Sequence, residues 1–140
     1  MLNIYSQINP DEIIVTVVRK EEISNGRKNI TPDKEFLQAG AKKCKAKEFF
    51  KPHKHLQCKK TAEITQESWV IIEGKAKGCF YDLNDQFLCS IILNCGDCAV
   101  IYRGGHSLEV LEDETIFYEF KNGPYQGVKK DKEFIGEKNE

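Results

Sequence analysis

Ser68-Trp69-Val70-Ile71-Ile72, closed by Glu73-Gly74, is the stretch whose reading decides the fold. Five residues rich in β-branched and aromatic types, ended by a turn, describe a strand too short for a helix. The same grammar repeats downstream. Gly78-Cys79-Phe80-Tyr81 meets Asp82-Leu83-Asn84-Asp85, Phe87 to Leu93 returns, and Gly96-Asp97 turns into Cys98-Ala99-Val100-Ile101-Tyr102. Gly104-Gly105 turns again into His106 to Leu111, and Glu112-Asp113-Glu114 leads into Thr115 to Phe120. Short runs at this spacing, with no sustained 3.6-residue apolar repeat, predict an all-β sandwich or barrel.

Upstream, Ile13 to Val18 reads as a strand and Asn25-Gly26 as a turn. Thr31-Pro32 reads as a helix cap followed by first-turn proline, so Thr31 to Ala41 is expected to be one short helix. The organisation expected is an N-terminal strand and helix over residues 1–46, packing on a β domain over 47–128, and a charged, fraying tail over 129–140. A chain of 140 residues is one domain's worth, long enough to bury its own core.

Composition excludes several classes. With 21 basic and 22 acidic side chains the net charge is −1, so no global field recruits nucleic acid or a membrane surface. The longest apolar run, Ile13 to Val18, is far below the roughly 18 residues of a membrane span, and no secretory leader pattern opens the chain; a cytosolic protein is expected. The six cysteines are therefore read as reduced thiols that pack as small apolar groups. Cys95-Gly96-Asp97-Cys98 has redox or zinc spacing. It lacks a second pair for zinc and a following helix for a thioredoxin-like site, so it reads as a turn.

The chain has three histidines. His53 and His55 form an H-x-H pair, and on a strand residues i and i+2 share a face, which lets two imidazoles converge. His106 follows the Gly104-Gly105 turn, and Glu67 is separated from Gly74 by six residues. The bland reading of an H-x-H alone is a polar edge strand.

Taken together, His53-Lys54-His55, Glu67…Gly74, Gly96-Asp97 and Arg103-Gly104-Gly105-His106 resemble the two motifs of the cupin superfamily. The resemblance covers roughly residues 47–125 and implies a single-domain jelly-roll barrel. It implies His53, His55, Glu67 and His106 as ligands of a divalent transition metal: Fe, Mn, Ni, Co or Zn. The pattern departs in three places. Eleven residues separate His55 from Glu67, more than the motif has, so Glu63 and Gln66 are rivals for the fourth ligand. Tyr102 replaces a proline, with the histidine one residue early, and no glycine precedes the H-x-H at the usual distance. Gly104-Gly105-His106, Leu111-Glu112 and the Glu119 to Tyr125 run are also similar to small cupins of sugar-nucleotide or polysaccharide gene clusters, whose reaction is generally unassigned.

The implied function is a metal-dependent isomerase, lyase or oxygenase acting on a small, carbohydrate-derived molecule. The alternative is a non-catalytic cupin that binds a small molecule or metal for regulation. Candidate catalytic groups are Tyr102, Glu119 and Lys121, and the candidate pocket is Trp69, Ile71, Leu108 and Tyr125. If all three histidines bind metal, none remains as a general base; histidine-based epimerase or ketoisomerase chemistry fits only without the metal. Eight lysines and one acid between Lys42 and Lys60 predict an anionic ligand if they ring the pocket, and a solvated strand edge if they do not. Ile13 to Val18 is the candidate pairing strand of an expected homodimer.

Overall fold

The computed structural model describes residues 1–136 and is all-β. Its strands are β1 (Leu2–Tyr5), β2 (Ile13–Val18), β3 (Gly26–Asn29), β4 (Gly40–Lys43), β5 (Glu67–Glu73), β6 (Lys75–Tyr81), β7 (Phe87–Asn94), β8 (Cys98–Ile101), β9 (Gly105–Val110) and β10 (Ile116–Lys121). One short helix, α1 (Val128–Asp131), follows. No helix among the described residues is long and apolar enough to cross a membrane.

All strand pairs are antiparallel, in a five-stranded sheet of order β1-β2-β8-β5-β10, a three-stranded sheet β7-β6-β9 and a β3-β4 ribbon. The sheets do not close: among the described residues β9 and β10 are each hydrogen-bonded to a strand on one side only. Val15, Val17, Trp69, Ile71, Ala76, Phe80, Leu93, Ala99 and Ile101 form the core between the two larger sheets. On the other face of the five-stranded sheet, Val18, Val100 and Tyr102 pack with Ile30 and residues of the β3-β4 ribbon.

The expected turn at Gly96-Asp97 is built as a ring of bonds to one carboxylate. Asp97 is buried, its side chain accepts from the backbone N–H of Asn94 at 2.9 Å, and it is paired with Arg19. Gly96 has φ +87°, a left-handed conformation that glycine adopts without a Cβ penalty. Cys95 and Cys98 thus flank a structural turn, and all six cysteines are free.

Five expectations need correction. Thr31 to Ala41 is not a helix: it bends back on itself and enters β4, because Ile30 N–H donates to the Ala39 carbonyl at 3.0 Å and Ala39 N–H donates to Thr31 Oγ1 at 3.0 Å. Asn25-Gly26 is not a free turn; Asn25 bridges to Lys43 and Gly26 begins β3. The strand Ile13 to Val18 is not available for pairing between copies, since β1 and β8 occupy its two edges and five of its six residues are buried. Residues 44–66, which carry the H-x-H, contain no strand at all. The tail begins with α1 and not with frayed chain, and its last residues, 137–140, lie outside the described part.

Candidate functional site

β10 runs against the usual pattern of an edge strand. Its aromatics Tyr118 and Phe120 are exposed, at 59% and 53%, while Glu119 and Lys121 line a cavity of about 550 Å³ at the open side of the sandwich. Alternate residues point to opposite faces, so putting Glu119 and Lys121 inward beside Phe117 turns Tyr118 and Phe120 outward. Burial of apolar area would favour the opposite orientation, so the inner charges must be satisfied there.

They are satisfied by β5, β10's neighbour, which places Lys121 opposite Glu67 and Glu119 opposite Trp69. Glu67 is 6% exposed. Its Oε1 accepts from the Trp69 indole N–H, and its Oε2 lies 3.1 Å from Lys121 Nζ and 3.4 Å from His106 Nε2. Lys121 Nζ also lies 3.1 Å from Glu119 Oε1. His106 comes from β9, directly opposite Phe80 of β6, and its ring meets the Trp69 ring edge-on with centroids 5.4 Å apart. Three strands from two sheets therefore hold one carboxylate, one imidazole and one ammonium together.

Electrostatics follow from that packing. Burial raises the Glu67 carboxyl pKa, but the hydrogen bonds from His106, Lys121 and Trp69 together with the His106 charge outweigh it and hold the pKa at about 2. Desolvation lowers Lys121, and the two carboxylates beside it overcome this and raise it. Both groups are therefore charged at neutral pH.

Gly104 (φ +73°) makes the turn into β9, and a Cβ there would meet the Tyr81 carbonyl oxygen. Arg103, just before it, anchors the turn from the other side. Its guanidinium bonds both Glu35 oxygens, at 3.0 and 2.8 Å, and the Ile13 carbonyl at 2.8 Å. This anchor and the tail segment Asp131 to Ile135, which also lines the cavity, were not foreseen in the sequence. Arg103 beside Gly104-Gly105-His106 was the available signal for the first; nothing in the charged tail marks the second.

The other expected residues distribute as follows. Trp69 and Leu108 line the cavity with Glu67 and His106. Ile71 lies deeper, in the core, and Tyr125 lines an adjoining hollow of about 400 Å³ that shares Thr65, Glu119, Lys121, Asp131 and Lys132 with the main one. Tyr102 is away from the cavity, in the cluster under the β3-β4 ribbon. Burial raises its phenol pKa, and its hydroxyl lies 3.1 Å from Thr16 Oγ1. Of the three acceptors weighed for one role, only Glu67 lines the cavity. Glu63 is exposed on the strand-free segment, and buried Gln66 is spent on Glu35 Oε2 (2.6 Å) and the Leu37 N–H (2.8 Å).

His53 and His55 are exposed on residues 44–66, with ring centroids 5.6 Å apart, and His53 Nδ1 donates to the Lys51 carbonyl at 2.9 Å. They are not brought to Glu67 and His106. Among the described residues no group of three or more His, Cys, Asp or Glu side chains is placed to hold a metal ion. Both Glu67 oxygens are also already engaged by donors, so the four residues as arranged do not fit a four-ligand centre. No residue between Lys42 and Lys60 lines the cavity. Its charged walls are instead Glu67, Glu119, Asp131 and Glu133 against Lys121 and Lys132.

Compared with protein-family models, with curated proteins and with solved structures, the chain matches none.

Proposed function

We propose that the cavity is a small-molecule site in which His106, backed by Glu67, moves a proton on a polar, carbohydrate-derived ligand, as an isomerase of the cupin type would. The observation that carries this reading is the His106–Glu67 pair inside a cavity, with Glu67 locked by Trp69 and Lys121. A carboxylate that receives one imidazole N–H fixes the ring's orientation and tautomer and stabilises the imidazolium that forms on proton uptake. With Nε2 turned to Glu67, Nδ1 is the nitrogen left to accept a proton. Lys121, charged between Glu67 and Glu119, supplies a donor for a hydroxyl or a developing oxyanion. The volume suits a small ligand. The carbohydrate class and the jelly-roll assignment rest on the motif resemblance.

The test is solvent exchange. A panel of keto sugars and nucleotide-linked keto sugars is incubated with the protein in D₂O, and loss of C–H signal is followed by NMR. Exchange into at least one sugar is expected, abolished in His106→Ala and reduced at least about a hundredfold in Glu67→Gln. No exchange across the panel, or exchange surviving His106→Ala, overturns the reading. The metal-dependent alternative has one observation in its favour, the adjacent His53 and His55 rings on a segment that no strand ladder holds in place. One equivalent of bound transition metal by elemental analysis, lost in His53→Ala and in His106→Ala, would establish it in place of the acid–base reading.

A further inference from the structure

The strand-free segment and the open side of the sandwich are complementary in two respects. From Cys44 to Glu63 there are six lysines and two acids, and none of those lysines makes an ion pair among the described residues. From Ser107 to Phe120, across β9 and β10, there are five acids and no lysine or arginine. Asp113 and Glu114, in the connection between the two strands, are exposed and have no cationic partner among the described residues. The apolar side chains match in the same way. Phe49 (76% exposed), Phe50 and Leu56 (83% exposed) protrude from the segment, while Val110, Ile116, Tyr118 and Phe120 protrude along the two strands. Among the described residues each of those strands also presents an unpaired row of backbone donors and acceptors. Such an edge is a template for another chain unless something covers or blunts it; β10 turns Glu119 and Lys121 inward, whereas β9 has no inward Asp, Glu, Lys or Arg.

We propose that the β9–β10 side of each molecule is covered by residues 44–63 of a second copy, in a two-fold dimer that exchanges these segments reciprocally. A two-fold axis makes every donor of the segment also a receiver, so two identical contacts form and both unpaired sides are closed. Lysines set against Asp113 and Glu114 fix the register and speed the encounter, and the phenylalanines and Leu56 supply the apolar area. The second copy is favoured over the chain's own segment because, within one chain, residues 44–63 are exposed throughout and none of them lines the cavity on this side. The covered side borders the cavity of Glu67 and His106, so the partner's segment becomes one of its walls.

Sedimentation velocity on the full chain tests this in low and high salt. A dimer is expected whose dissociation constant rises at least about tenfold with Lys51→Glu/Lys54→Glu and, separately, with Asp113→Lys/Glu114→Lys. Mixing the two charge-reversed variants restores a heterodimer, because each then meets its complement across one of the two contacts. Phe49→Ser/Phe50→Ser, at exposed positions that leave the sandwich core intact, gives a monomer with unchanged circular dichroism. A wild-type monomer at micromolar concentration overturns the proposal. So does a dimer indifferent to all three variants, or one in which the mixed variants fail to associate.

Discussion

β5 and β10 on one side, and residues 44–66 on the other, carry the same kinds of side chain to opposite ends. On β5 and β10, Glu67, Trp69, Glu119 and Lys121 are held by cross-strand register, and each has a partner within hydrogen-bonding or ionic reach. On residues 44–66, two histidines and six lysines stand exposed, without a ladder. A ladder fixes Cα positions and side-chain faces before any side chain bonds, so polar groups can be buried against each other at low entropic cost. Without one, spacing along the chain sets no common direction. Chemistry on this molecule is therefore expected where the backbone is paired.

Four measurements sharpen or break that contrast. The largest effect is expected for Trp69→Ala, which opens the core between the sheets and removes a donor to Glu67. It should cost about 3–5 kcal/mol in chemical denaturation, whereas Phe49→Ala, measured at protein concentrations where the chain is monomeric, should stay within about 0.5 kcal/mol. Equal costs would mean the segment is as much a part of the folded unit as β5. Next is pH. The Glu67 pKa of about 2, below the ordinary 4.5, means its contribution is complete above about 4.5 and is lost as pH falls toward 2. Allowing for water at the cavity mouth, wild type should lose of order 2 kcal/mol more than Glu67→Gln across that window. An identical acid limb in both proteins would show that Glu67 is not held as described.

Lys121→Met should follow at about 1–2 kcal/mol, since it leaves the buried Glu67 carboxylate with one cationic neighbour fewer. Its acid limb should shift toward the ordinary carboxylate range. Smallest is His53→Ala/His55→Ala, within about 0.5 kcal/mol by thermal unfolding, because both rings are exposed and only His53 makes a bond, to Lys51 of its own segment. A loss of more than about 2 kcal/mol would place these histidines inside the folded unit after all.

Much of the architecture was legible because it depends on local pattern. The runs at Ser68–Ile72, Phe87–Leu93, Cys98–Tyr102 and His106–Leu111 correspond to β5, β7, β8 and β9 within a residue or two, since β-branched residues and turn chemistry act over a few positions. The short helix at Thr31 was misread for the same reason turned round. Its cap and proline are local signals, and long-range partners prevailed over them: Arg103 and Gln66 bind Glu35, and the Ala39 backbone closes the ribbon. Glu67 and His106 were legible by spacing to glycines, while alternation of Glu119 and Lys121 with Tyr118 and Phe120 points to a solvated face for the charges, the reverse of what the structure shows.

The sequence by itself determined that the chain is built of short antiparallel strands and where most of them begin and end, because those choices are settled by neighbours a few residues apart. Only the tertiary structure decided which charges share a cavity. Glu67, His106 and Lys121 belong to three strands of two sheets, and their meeting depends on register, sheet packing and the desolvation that packing imposes, none of which any single segment encodes.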